Sequence, residues 1–242
     1  MSAGIGSRIR RLGWCDRLLL LIPVIGAIIG TAGNYVRVRG LAGTGQFQML
    51  VMMTIWAAVA AGITYSIIRL QRRLADYGFS FKRGGLASLA IVALIHLYLV
   101  ISGKFVASTT EFFLLKAVGA FMEEVLFRVV AIDTFIRLMN GIRAKALWAV
   151  LASSVLWSVP HAVSKSPAEL LGGIFLGGLF FGYIYYKSRS ILLPAWIHSV
   201  ANAGHMGGVL VVILYCVISA ADYTIGSRNE RTSGTAVATT NT

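Results

Sequence analysis

About eight apolar runs of membrane-crossing length, most of them closed by arginine or lysine, constrain this chain more than any other feature. A transmembrane helix needs roughly 20 apolar residues, within about 17–25. Residues 18–36 run without a charge between Arg17 and Arg37, 47–68 end at Arg69, and 84–103 lie between Arg83 and Lys104. A fourth run, 109–138, is interrupted by Lys116, Glu123, Glu124, Arg128 and Asp133. Then come 146–161, 169–186, a short 190–202 containing Pro194, and 206–221. In hydrocarbon each backbone polar group must be satisfied within the spanning structure, and runs of this length do so as helices. The expected fold is therefore all-α, a polytopic transmembrane bundle of about eight spans at 18–222. A basic segment, 1–17, precedes it. The Thr-, Ser- and Asn-rich stretch 223–242 reads as a disordered tail.

Composition and charge placement agree with that reading. Only 13% of the 242 residues are charged and 57% are hydrophobic, whereas a soluble domain carries about a quarter charged. With eight spans, sixteen of the 22 basic residues fall on one side of the membrane and four on the other, while Lys116 and Arg128 lie inside the fourth run. This bias predicts that both termini are cytoplasmic. The net charge of +13 does not indicate nucleic acid, because the basic residues form no stripe or basic domain. Their expected partners are lipid headgroups. Arg8, Arg10, Arg11 and Arg17 before an apolar run resemble a signal peptide, but the run is long and others follow, so an uncleaved first span is expected. Cys15 and Cys216 form neither a metal pattern nor a disulfide framework. In the sixth run Gly173-xxx-Gly177 and Gly178-xxx-Gly182 predict close helix packing.

Chemistry concentrates in the fourth, fifth and seventh runs. Ionisable residues deep in a membrane are costly and should face the protein interior. On a helix Glu124 and Arg128 lie within about 40° of each other and can pair, whereas Glu123 is turned by about 100° from Glu124. This separates a bracing ion pair, Glu124–Arg128, from a carboxylate, Glu123, that is left to work. The fifth run ends Trp157-Ser-Val-Pro-His161. The seventh reads Pro194-Ala-Trp-Ile-His198-Ser-Val-Ala-Asn202, which places His198 and Asn202 on one face. Pro160 and Pro194 each remove a helical hydrogen bond, a break tolerated where backbone lines a cavity. His96 reads as a satisfied core residue and His205 as interfacial.

Glu123-Glu124-xxx-Arg128, Trp157-xxx-His161 and His198-xxx-Asn202, in this order on successive runs, resemble the CAAX protease and bacteriocin-processing family. These are intramembrane endopeptidases that include the type II CAAX prenyl proteases. The resemblance covers about 109–205; the N-terminal half offers runs and no motif. The family's second motif usually begins with Phe, and here it begins with Trp157. The resemblance implies that Glu123 activates a water with help from His161. It implies that His198 and Asn202 stabilise the oxyanion, with Arg128 holding Glu124 in place. No metal is required by the glutamate-and-histidine arrangement; the alternative is Zn²⁺ held by Glu123, His161 and His198, with Asn202 in reach. The expected partners are the lipid bilayer and a peptide or protein substrate, either a prenylated CAAX-type chain, a peptide precursor or a membrane protein. A proton-coupled transporter using the same Glu and His groups is the competing function class. No inverted repeat supports it, since the charged fourth run has no counterpart in the first half.

Overall fold

The computed structural model describes residues 14–40, most of 50–65, 72–104 and 113–238. Of the expected basic N-terminal segment, 1–13 lie outside the described residues, as do parts of the second run. Among the described residues the elements are helical and no strand occurs: α1 (Trp14–Val38), α2 (Leu86–Ile101), α3 (Phe113–Glu124), α4 (Asp133–Leu138), α5 (Lys145–Ser158), α6 (Pro167–Glu169), α7 (Leu176–Ser188) and α8 (Leu192–Ala238). The residues described between 50 and 65 are helical as well. Wider π-type turns, Val125–Ile132, join α3 to α4, and a second set, Leu170–Phe175, joins α6 to α7.

Four helical stretches among the described residues are long and apolar enough to cross a membrane: Leu21–Val38, Leu74–Ile101, Pro167–Ser188 and Leu192–Ile225. The surface has the polarity such helices need. Leu94, Ile101, Ile28, Phe180 and Val217 are exposed, while Glu124 and Arg128 are sealed inside. A water-soluble protein distributes these residue types the other way round. The chain is an integral membrane protein built only of helices over the described residues.

The last two apolar runs form two helical segments of α8 that meet without a loop at Gly204. At Gly204 the backbone leaves helical geometry at φ 69°, ψ −169°, a conformation open essentially to glycine alone. The chain doubles back there: Ser190 and Tyr215 hydroxyls meet at 3.5 Å, and a Cβ on Gly208 would touch Trp196 and Val200. Pro194 does not break the helix as the sequence suggested. It stands in the first turn of α8, where its missing N–H has no intrahelical partner to lose. Beyond Asp222 the helix extends through Ala238, into the stretch expected to be a disordered tail.

The core forms where α8 lies along α3, with Ser199 Oγ donating to the Ala117 carbonyl at 3.2 Å. Helix α1 then closes one flank, contributing what its sequence alone did not suggest. Gly26 faces Leu126, Gly30 faces Pro160 and Gly33 faces Val51, each so close that a Cβ would press on its neighbour. Of the two glycine pairs in the sixth run, one packs. Gly178 and Gly182 abut Trp157, Ser154 and Val150, whereas Gly173 has open space beside it.

Candidate active site

Helix α3 delivers two neighbouring carboxylates in different directions. Glu124, fully buried, accepts from Arg128 Nε at 2.8 Å through Oε2. Arg128 sits on the π-type turns that continue α3, which pair it with Glu124 while holding it completely inside. Its Nη1 donates to Ser153 Oγ at 3.3 Å, and Ser153 in turn donates to the Phe127 carbonyl. The guanidinium also lies 4.9 Å from the centre of the Trp157 ring, a cation–π contact that strengthens when desolvated. An ion pair this deep is tolerable only when most of its hydrogen-bonding capacity is used. Here it is used by Glu124, Ser153 and an aromatic face.

Glu124 has a second duty that spacing alone did not reveal. Its Oε1 lies 2.8 Å from His198 Nδ1, so the carboxylate accepts from the ring and fixes it. His198 is buried, stacked on Phe181 at 5.7 Å and edge-on to Trp157 at 5.5 Å.

Glu123 turns instead toward a cavity of about 360 Å³. Its Oε2 accepts from the indole Nε1 of Trp157 at 3.0 Å. Trp157, His161 and Asn202 line the same cavity, to which α1 contributes Gly26, Gly30, Gly33, Asn34 and Arg37. Helix α5 ends in a tight turn, Val159–His161, and Asn34 Nδ2 donates to the Pro160 carbonyl there at 2.7 Å. His161 Nδ1 lies 3.0 Å from the Trp157 carbonyl. A carbonyl only accepts, so Nδ1 carries a proton, and in the neutral ring Nε2 keeps its lone pair.

The structure thus brings Glu123, Trp157, His161 and Asn202 to one cavity and places His198, Glu124 and Arg128 behind it. Spacing on the sequence gave no hint of Trp157 as a donor, of Ser153 beneath Arg128, or of Asn34 and Arg37 from α1. A lone Asn inside the first apolar run was the one available signal. Glu123, His161 and His198 offer metal-ligand types, and both histidines are oriented through Nδ1 as ligands commonly are. Yet among the described residues no three His, Cys, Asp or Glu side chains converge closely enough to hold an ion. The arrangement as placed does not fit a preformed zinc site.

The sequence model of one family, the Rce1-like type II CAAX prenyl endopeptidases, matches residues 105–204. That segment contains Glu123, Glu124, Arg128, Trp157, His161, His198 and Asn202, while the α1 wall of the cavity lies outside it. Across that segment the chain is similar to this family. No curated protein and no solved structure matches the chain. The similarity supports a membrane protease of the CAAX type in general, acting on a peptide beside the bilayer.

Away from this site, His96 Nδ1 accepts from Trp196 Nε1 at 3.1 Å, and its ring lies 5.4 Å from that of His205. His205 is buried in the protein, with its Nε2 3.3 Å from the Lys104 carbonyl.

Proposed function

We propose that this protein is a membrane protease of the CAAX type and hydrolyses its peptide substrate with a water activated by Glu123. The observation that supports it is the position of Glu123, a carboxylate held by one N–H of Trp157 on the wall of a cavity it shares with His161 and Asn202. Glu123 takes a proton from water, the hydroxide adds to the scissile carbonyl, and the proton passes to the departing amine as the C–N bond breaks. His161, with its Nε2 lone pair free, assists the proton transfer. Asn202 faces the cavity and is the donor best placed for the oxyanion. His198 stands one turn away on α8 and contributes from behind. With Nδ1 committed to Glu124, it offers a second N–H when it carries a second proton, and the Glu124 carboxylate offsets that charge. A preorganised oxyanion donor is typically worth about 2.7–4 kcal/mol and a positioned general base about 10²–10⁴ in rate.

The substrate is a prenylated CAAX-type chain, a peptide precursor or a membrane protein, the bundle has about eight spans, and both termini face the cytoplasm. The last two follow from the apolar runs and the basic bias between them. The reaction needs no metal in this reading. Chelator-resistant cleavage by purified protein is expected, and loss on chelation with recovery in zinc would refute that part. For the mechanism itself, Glu123→Ala and His161→Ala should each abolish cleavage of a farnesylated peptide while the protein still accumulates in membranes. Full activity in either variant would overturn it.

A further inference from the structure

Helix α1 carries two polar side chains in its apolar middle, and they are used differently. Thr31 Oγ1 donates back to its own helix, to the Ala27 carbonyl at 2.7 Å. Asn34 reaches across instead and donates from Nδ2 to the Pro160 carbonyl at 2.7 Å. The last carbonyls of a helix have no intrahelical donor and need one from elsewhere. In the turn Val159–His161 that ends α5, the Val159 and His161 carbonyls accept from the backbone N–H groups of Ala162 and Ser164. The Pro160 carbonyl between them is the one that α1 supplies. Gly30 lies one turn before Asn34 on the same face. A Cβ there would stand 3.2 Å from the Pro160 ring, so the missing side chain lets α1 come close enough for the amide to reach.

The bonded carbonyl belongs to the peptide unit that carries His161. That unit is planar, so fixing its oxygen fixes the orientation from which the His161 side chain departs. The ring is tied separately, through Nδ1 to the Trp157 carbonyl at 3.0 Å. His161 is thus restrained at its backbone by α1 and at its ring by α5, and both restraints act on a residue of the cavity wall. We infer that Asn34 is a positioning residue for His161, which makes the first helix a working part of the catalytic site although it lies outside the family-like segment 105–204. The inference rests on His161 assisting the water that Glu123 activates. Small displacements of a catalytic group cost rate steeply while leaving binding intact.

The test uses the full chain in phosphatidylcholine nanodiscs with a farnesylated peptide as probe, and rates are normalised to folded protein. Asn34→Leu should lower kcat about 10- to 100-fold and leave KM within about twofold. Gly62→Ala is the packing control: its Cβ would press on Ile22 of α1, away from the cavity, so it should lower the melting temperature and keep kcat. Asn34→Asp preserves the shape and makes the donor depend on pH, because an ionised carboxylate only accepts while a carboxylic acid donates. Its rate relative to wild type at the same pH should rise as the pH is lowered, whereas the Asn34→Leu ratio should stay flat. A readout without substrate is the ¹⁵N spectrum of the histidine rings, with the His161 signals identified by their loss in His161→Ala. Wild type should show the neutral Nδ1–H form of His161, and Asn34→Leu an average of both tautomers. Wild-type kcat in Asn34→Leu overturns the inference, as does an unchanged His161 spectrum or an Asn34→Asp ratio that follows Asn34→Leu at every pH. A raised KM with kcat intact assigns Asn34 to substrate contact and also overturns it. Full cleavage by His161→Ala is the failure of the hydrolytic reading; a fast Asn34→Leu beside an inactive His161→Ala is the failure of the positioning role alone.

Discussion

Replacing Trp157 with phenylalanine isolates one hydrogen bond. Trp157 is 4% exposed, its ring packs on His161, His198 and Phe181 and under the Arg128 guanidinium, and its Nε1 donates to Glu123 at 3.0 Å. Phenylalanine keeps an aromatic ring for these contacts and removes the donor. A hydrogen bond to a charged group contributes about 1.5–3 kcal/mol. Glu123 borders the cavity, where water replaces the lost donor, so the folded state should lose only about 1 kcal/mol. Position is another matter, since a carboxylate that wanders no longer aims a water at the scissile carbonyl. If the full bond energy is lost from the transition state, kcat/KM falls about 10- to 100-fold. The assay is cleavage of a farnesylated peptide in nanodiscs, normalised to folded protein, beside a thermal melt of the same sample. Gly178→Ala is the control: its Cβ would lie 3.0 Å from Cε3 of the same indole without removing the donor to Glu123, and it should lower the melting temperature more than kcat/KM. Wild-type activity in Trp157→Phe, or a loss no larger than that of the control, would refute the positioning role.

Two further substitutions separate scaffold from chemistry. Arg128→Met leaves Glu124 buried with His198 as its remaining partner, and breaking such a pair costs about 3–5 kcal/mol; the variant should fail to accumulate in membranes, and normal accumulation would show the pair is dispensable. Gly182→Ala should lower the melting temperature because its Cβ would lie 2.9 Å from Val150, while Gly173→Ala, facing open space, should leave it unchanged. The reverse order would mean that the other glycine pair makes the packing contact.

These variants also mark how far the sequence could be read. Helical class was legible because apolar runs of fixed length leave a chain in lipid few alternatives. The pairing of Glu124 with Arg128 was legible for a local reason: both residues lie on one stretch of helix, and spacing along a helix is geometry. Contacts between helices were not. Nothing in the spacing says that Glu124 reaches His198, 74 residues away, or that Asn34 caps a turn 126 residues later. Glycines show the same limit. Two pairs with identical spacing differ because Gly178 and Gly182 press on their neighbours while Gly173 faces open space, and rotation of a helix about its axis is decided by what packs on it. Pro194 was misread because a proline's effect depends on whether it stands in the first turn or further inside, and the helix start was not visible.

The adjacency of Glu123 and Glu124 explains why one residue substitution in this region should not be read as another. Consecutive helical positions diverge by about 100°, so one carboxylate meets the cavity and the other the core. Their environments then oppose each other. Glu124 is surrounded by Arg128 and His198, which spend its charge on structure. Glu123 has a single indole donor and retains acceptor capacity on the cavity side. The motif is therefore two functions in consecutive letters. The family's Phe at the start of the second motif cannot supply the donor that Trp157 supplies here. In this chain Glu123 is held by a side chain of the fifth run, and Glu124 holds a side chain of the seventh. The cavity is thus assembled from α1, α3, α5 with the turn that follows it, and α8, segments that the sequence keeps far apart.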